Sequence, residues 1–142
     1  PVVLRSQEIS PGLYHYVQRT HSLAPLVSGD FRDRVVTFCS GQRWVADASP
    51  AFIMTGMIGR TMWKYEHSHA YKVVQMDAGH VGQTFHLVCT ALGLGPFTTA
   101  AVDGDFVEKE LRIDGVSEIP LYIAAVGRSA EPAAPPADGP AF

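Results

Sequence analysis

Between Tyr71 and Leu92 the apolar residues Tyr71, Val74, Ala78, Val81, Phe85, Val88 and Leu92 recur at alternating steps of three and four, a spacing that only a helix turns into one face. With Ser68 as N-cap and Gly93 or Gly95 as stop, the spacing predicts a helix of about 24 residues, roughly 36 Å at 1.5 Å per residue, which is long for a domain of this size. Its other face is polar without being charged: it carries His80, Gln83, Leu87 and Thr90, and no Asp, Glu, Lys or Arg lies between Asp77 and Asp103. A solvated face normally carries Lys or Glu. Gly79 and Gly82 each cost a helix about 1 kcal/mol relative to Ala, a penalty that fits a close approach by another backbone. The expectation is a central helix packed on several sides, with His80 hydrogen-bonding across a helix interface.

The other elements arrange themselves around it. Residues 1–7 and Gly12–Val17 read as strands joined through the Ser10-Pro11-Gly12 turn. Ser28 is a candidate cap for a helix carrying Phe31, Val35 and Phe38 and ending before Gly41. Ala51–Met57 is apolar without alternation, as is Pro120–Gly127, so both are expected to be strands covered on both faces. A β-like run covers Phe97–Val102, followed by a short helix capped by Asp103 or Asp105, with Phe106, Val107 and Leu111 as its contacts. Residues 129–142 are rich in Pro and Ala without periodicity, which predicts a disordered tail behind one domain over residues 1–128.

Hydrophobic residues make up 46% of the 142-residue chain and charged ones 18%, against a usual charged share of about 25%. That balance offers more surface to bury than one small monomer needs and predicts a subunit interface. The net charge of -3, with no basic stripe, argues against a nucleic-acid partner. No apolar run has membrane-spanning length and composition, and no signal-peptide pattern opens the chain, so a cytoplasmic protein is expected. Cys39 and Cys89 sit in apolar stretches as buried free thiols do.

Five stretches, GLYHY at 12–16, WVADASPAFIM at 44–54, MWKYEHSHAYK at 62–72, DAGHVGQTFHLVCTALGLG at 77–95 and IPLYIAAVG at 119–127, resemble in order and spacing the SagB-type dehydrogenases of the nitroreductase superfamily. The resemblance implies an α+β fold, a mixed sheet flanked by helices with a long central interface helix, built as an intertwined homodimer with FMN in two clefts at the interface. It implies oxidation of thiazolines and oxazolines to azoles in ribosomally made peptides. The family's N-terminal third, an Arg-rich segment that grips the FMN phosphate and a Pro-Ser-rich loop that touches the flavin, has no counterpart in these residues. Where the family has a Gly beside the flavin ring, this chain has Thr99-Ala100-Ala101. Three alternatives stay open: a fragment, a partner of a complementary chain carrying the missing third, or a member that has lost the cofactor.

Azoline oxidation needs a base to take the ring proton α to the carbonyl while hydride leaves for the flavin. Lys64-Tyr65 matches the Lys-Tyr pair of the family's azoline oxidases and supplies the catalytic candidates; the plain alternative is a solvated Lys beside a core Tyr. Gly95, Thr99, Ala100 and Ala101 are the candidates beside the flavin, and Arg128 after the last strand is a candidate for its phosphate. His67 and His69 would share a face if their segment were extended, but no Cys or carboxylate completes a metal-ligand spacing, so no metal is expected. Trp44 and Trp63 read as core. The competing functions are a non-catalytic partner or scaffold subunit without the flavin, and a general nitro- or quinone-reductase, which needs no Lys-Tyr pair.

Overall fold

The computed structural model describes residues 1–128, so the expected tail at 129–142 lies outside the described residues. Six strands form one sheet: β1 (Val2–Val3), β2 (Gly12–Val17), β3 (Ser22–Ser28), β4 (Ala51–Met57), β5 (Leu94–Thr99) and β6 (Glu118–Arg128), in the order β3-β2-β1-β4-β6-β5. All five pairings are antiparallel, which refines the mixed sheet of the sequence reading. The apolar strands Ala51–Met57 and Pro120–Gly127 become the adjacent centre of the sheet. The strand expected over Phe97–Val102 starts and ends three residues earlier, because Gly93 at φ +71° turns the chain directly into β5. Strand β3 had no counterpart in the sequence reading.

Four helices cover the sheet: α1 (Arg32–Phe38), α2 (Ile58–Met62), α3 (His69–Ala91) and α4 (Gly104–Leu111). One face packs on α1 and α4 through Phe31, Val35, Phe38 and Val107 against Leu13, Ala51, Ile123 and Ala125, all buried. Burying each of these larger side chains contributes roughly 1.5–3 kcal/mol. The rings of Phe38 and Phe106 lie 5.4 Å apart. Cys39 and Cys89 are free and buried. Asp103 caps α4 as expected, its carboxylate accepting from the Phe106 N–H at 3.0 Å. Ser28 caps nothing, since it ends β3, and α1 begins after Phe31 without a side-chain cap. Ser68 precedes α3 but makes no capping bond.

The other face of the sheet carries α3. A bulge in β6 makes this packing: the pairing steps from Met54↔Tyr122 to Thr55↔Pro120 and leaves Leu121 unpaired, so Leu121 and Tyr122 both lean towards the helix. A Cβ on Gly56 would lie 2.7 Å from Val74 and 2.8 Å from Leu121, and one on Gly82 would lie 2.7 Å from the Tyr122 ring. Helix and sheet therefore meet at two glycines. The close approach expected at Gly82 is real, made by a side chain rather than a backbone.

The helix is 23 residues long, close to expectation, but it is packed on one side only within this chain. Ala70, Val74, Ala78, Gly82, Phe85 and Cys89 lean on the sheet. Tyr71, Val81, Val88 and Leu92, members of the same apolar pattern, are exposed, Leu92 at 68%. A strict pattern of threes and fours drifts around a helix of 3.6 residues per turn, and here it straddles the border of the buried face. His80 is exposed too. Trp63, expected in the core, is 87% exposed, and Trp44 is half-exposed, with its ring edge-on to Phe97. Both stand in segments that cross the surface, the end of α2 and the 3-10 turn Arg43–Asp47, where the pattern gives no facing signal.

Candidate functional site

Because Gly79 and Ala78 carry little or no side chain, the N-terminal half of α3 stands away from the start of β6 and leaves a groove of about 550 Å³. Gln75, Ala78 and Gly79 form one wall, Ile119 to Tyr122 the other, and Ala100 closes an end. Nothing lies within 4 Å of the position a Gly79 Cβ would take. Beside it, across Ala78 and Leu121, a wider cleft of about 1020 Å³ runs between β2, β4, α2 and α3, and takes in Arg19, Arg60, Asp77 and Glu118. The missing side chain at Gly79 thus leaves open the space between helix and sheet here.

Behind the groove lies a polar chain that the sequence reading missed. The Tyr122 hydroxyl donates to Thr98 Oγ1 at 2.9 Å, and His86 Nε2 lies 3.1 Å from the same oxygen. Within this chain the helix histidine that bonds to the sheet is His86, while His80 is exposed. The signal available was the place of His86 one turn beyond Gly82 on the packed face. Next to it, Thr99 is buried, and its Oγ1 accepts from the Ala101 N–H at 3.0 Å, which fixes the turn out of β5. Gln42 reaches the same hydroxyl with its amide nitrogen at 3.5 Å, while its amide oxygen is buried without a partner.

The candidate residues fall into three places. Thr99, Ala100 and Ala101 form the turn at the groove end, with only Ala100 lining it. Gly95 and Arg128 lie at the opposite end of β5, where Gly95 pairs with Gly127 and Leu94 with Arg128. Six residues of strand, roughly 20 Å at about 3.3 Å each, separate Arg128 from Ala100. Lys64 and Tyr65 follow α2 on an exposed connection, with Lys64 Nζ 5.2 Å from the centre of the Tyr65 ring. His67 precedes α3 and His69 opens it, so no extended segment places them on one face. Among the described residues no cluster of His, Cys, Asp or Glu could hold a metal ion, and no helix is long and apolar enough to cross a membrane.

The groove can be tested against a flavin by the chemistry of its walls. Flat, small surfaces at Ala78, Gly79 and Ala100 with an amide at Gln75 fit the ring system. No cation lines the groove, so a phosphate must be met from outside it, by Arg128 along β5 or by another chain. The residues fit the ring end of the group and leave the phosphate end to others.

An antiparallel sheet backed by two short helices, with one long helix standing off its other face above a groove, is an α+β domain of the nitroreductase type. The family model for the nitroreductases matches residues 2–128, and the chain belongs to that family. A nitroreductase homologue of Methanocaldococcus jannaschii is 29% identical over 124 residues, 87% of this chain and 60% of its own length. The trifolitoxin-processing protein TfxB of Rhizobium leguminosarum bv. trifolii is 29% identical over 123 residues, 84% of this chain and 33% of its own length. This chain thus spans less than two thirds of either relative. Among solved structures, a nitroreductase homologue from Anabaena variabilis superposes with a TM-score of 0.79 at 26% identity, over 88% of this chain and 26% of that one. A chain of the E. coli microcin synthetase McbBCD complex, solved with truncated pro-MccB17 bound, shares the fold at a TM-score of 0.75 and 19% identity, over 92% of this chain and 50% of that one.

Proposed function

We propose that this chain is part of an FMN-dependent oxidoreductase of the SagB type that dehydrogenates azoline rings to azoles in a ribosomally made peptide. The observation that carries the reading is the exposed Lys64-Tyr65 pair in a nitroreductase-family chain that is similar to a trifolitoxin-processing protein. Gln75, Ala78, Gly79 and Ala100 hold the ring, and Arg128 or a complementary chain meets the phosphate. The flavin, when bound, supplies the hydride-accepting chemistry. Lys64 takes the proton from the ring carbon α to the carbonyl, and Tyr65, whose ring the Lys64 ammonium already faces, orients it. Both are exposed in the single chain, so the desolvation a Lys base needs comes from whatever covers this segment. The exposed side of α3 supplies the surface for that cover, in a homodimer or with a complementary chain.

The test uses the complete native assembly, loaded with FMN, and an azoline-bearing peptide. Lys64→Ala should lower azole formation by a factor of about 10² to 10⁴, the usual worth of a general base, while the flavin absorbance stays bound and reduction by an artificial donor persists. Near-normal azole formation in that variant would overturn the assignment of Lys64. One observation favours a second reading, a partner or scaffold subunit without flavin: no cation lines the groove. An assembly that takes up no FMN at all would establish that reading instead. A general nitro- or quinone-reductase would bind FMN and be indifferent to Lys64→Ala.

A further inference from the structure

Thr98 stands between two partners in the polar chain behind the groove, and its single hydrogen decides the state of His86. Its Oγ1 accepts from the Tyr122 hydroxyl at 2.9 Å and lies 3.1 Å from His86 Nε2. A threonine hydroxyl has one hydrogen and two lone pairs. Among the described residues Thr98 Oγ1 has no third partner, so its hydrogen goes to His86 Nε2. That nitrogen is then an acceptor, and the imidazole is neutral with its own hydrogen on Nδ1. Free histidine favours the opposite tautomer, so the sheet imposes this one on the helix.

The three groups are held in place by their elements. The Tyr122 ring is wedged under α3 at Gly82, where an added Cβ would lie 2.7 Å from it. Thr98 pairs with Ala124, two residues along β6 from Tyr122 on the same face of the sheet. A proton on His86 therefore changes the bonds rather than the positions: Nε2 becomes a donor to Thr98 Oγ1. If Tyr122 went on donating to that oxygen as well, the Thr98 hydrogen would be left unpaired in a part-buried site, a costly arrangement. The arrangement that satisfies every group reverses the chain, with His86 donating to Thr98 and Thr98 to Tyr122. Few other titratable groups stand on the elements packed around the ring. On α3 they are Cys89 one turn after it, then His80 and Asp77 before it; β4 and β5 bring none; β6 brings Tyr122 itself, with Glu118 and Arg128 at its two ends; α2 brings Arg60. Among the described residues none of them forms an ion pair with His86.

We propose that His86, Thr98 and Tyr122 form a proton-operated switch that sets the hydrogen-bonding character of Tyr122, a wall of the groove. With His86 neutral, the Tyr122 hydrogen is held on Thr98 and the phenol oxygen offers only lone pairs. With His86 protonated, Thr98 fills one of those lone pairs and the hydroxyl hydrogen is released. A water or ligand atom that reaches the hydroxyl meets an acceptor in the first state and a donor in the second. Binding of an acceptor there, such as a carbonyl oxygen, is then linked to uptake of a proton at His86. The proton comes from solvent and stays on Nε2; the Thr98 and Tyr122 hydroxyls only rotate, and no covalent bond between heavy atoms changes. The switch goes beyond the redox reading and does not depend on it, since it uses none of the residues assigned to the flavin or to proton removal from the substrate.

The test is nuclear magnetic resonance on the native polypeptide at its natural length, without added ligand, from about pH 5 to 8, the range in which histidine side chains change charge. At the upper end the His86 nitrogens should show Nδ1 protonated and Nε2 bare. As the pH falls the Tyr122 Cζ signal should shift with the same midpoint as the His86 ring. Thr98→Val keeps the shape and removes the middle hydroxyl, so His86 should still titrate while the linked Tyr122 shift is lost; Thr98→Ser should bring it back. A histidine that only packs on the sheet would link nothing to Tyr122. The tautomer and the shared midpoint are read on the wild type, so they decide the matter even if Thr98→Val fails to fold. Three results would each overturn the proposal: His86 protonated on Nε2 at the upper end; a His86 ring that keeps its charge throughout, or a Tyr122 signal that does not follow it; or a linked shift that survives in Thr98→Val.

Discussion

Gly79 and Gly82 stand three residues apart on one helix, yet a methyl group added at each meets opposite surroundings. At Gly82 it would press on the Tyr122 ring at 2.7 Å and disturb the Tyr122, Thr98 and His86 chain. Overpacking of that kind costs about 1–3 kcal/mol and outweighs a helix-propensity gain of about 1 kcal/mol, so Gly82→Ala should lower the melting temperature. At Gly79 nothing stands within 4 Å, and Gly79→Ala should raise the melting temperature, by up to about 1 kcal/mol of stability. Calorimetry on the two variants should give shifts of opposite sign; a loss at both positions would mean that Gly79 is packed. The Gly79→Ala methyl also projects into the groove, so the more stable variant should take up FMN less well if the ring lies there. Asp114 sets a pH dependence of another kind. The N–H groups of Glu118 and Val116, followed by Ser117, hold its carboxyl well below the usual carboxylate range and tie the turn that feeds β6. A carboxyl depressed in the folded state adds stability that is present above its unfolded pKa, about 4, and is lost as the pH falls below it. The urea midpoint should therefore decline below about pH 4, and less steeply in Asp114→Asn; identical profiles would remove Asp114 as the cause.

At the scale of elements, what the sequence made legible was periodicity with a cap or a stop. The long helix declared itself through spacing and through Gly93, and α4 through Asp103, because each signal is local and the structure uses it locally. Strands β4 and β6 were visible as unbroken apolar runs since both faces of the sheet's centre are covered. Strand β3 (SLAPLVS) was not visible: it is an edge strand, mostly exposed and interrupted by Pro25, so it lacks both alternation and an apolar run. Helix α2 escaped because five residues hold barely more than one turn of pattern. The candidate site was less legible still. The groove lies beside a bulge at Leu121 and glycines that meet side chains distant in sequence, Gly56 with Val74 and Gly82 with Tyr122. No spacing within one element encodes such a pairing. Lys64-Tyr65 was found only through the resemblance, since nothing in the local pattern distinguishes it from a solvated turn.

For the whole molecule, the exposed side of α3 is the feature that this chain alone does not explain. Val81, Leu87, Val88 and Leu92 are more than half exposed along one helix, Leu87 at 63%, and no Asp, Glu, Lys or Arg interrupts the sequence from Ala78 to Val102. Scattered apolar residues on a surface are ordinary, but a continuous uncharged helix face marks an interaction site. A self-complementary helix paired about a two-fold axis would bury it at the smallest cost in new surface, since each residue that covers is also covered. The chain should therefore associate at micromolar concentration, and light scattering should return a mass well above 15.4 kDa. Because these side chains contribute little to the fold of the single chain, Val81→Lys with Val88→Lys should dissociate the assembly while leaving its circular dichroism unchanged. If the native chain scatters as a monomer and the double variant changes nothing, the homodimer is excluded, and the remaining reading is a complementary chain that covers α3 and supplies the cation the groove lacks. Mixing that partner with the wild type and with the double variant should then show complex formation in the first case only.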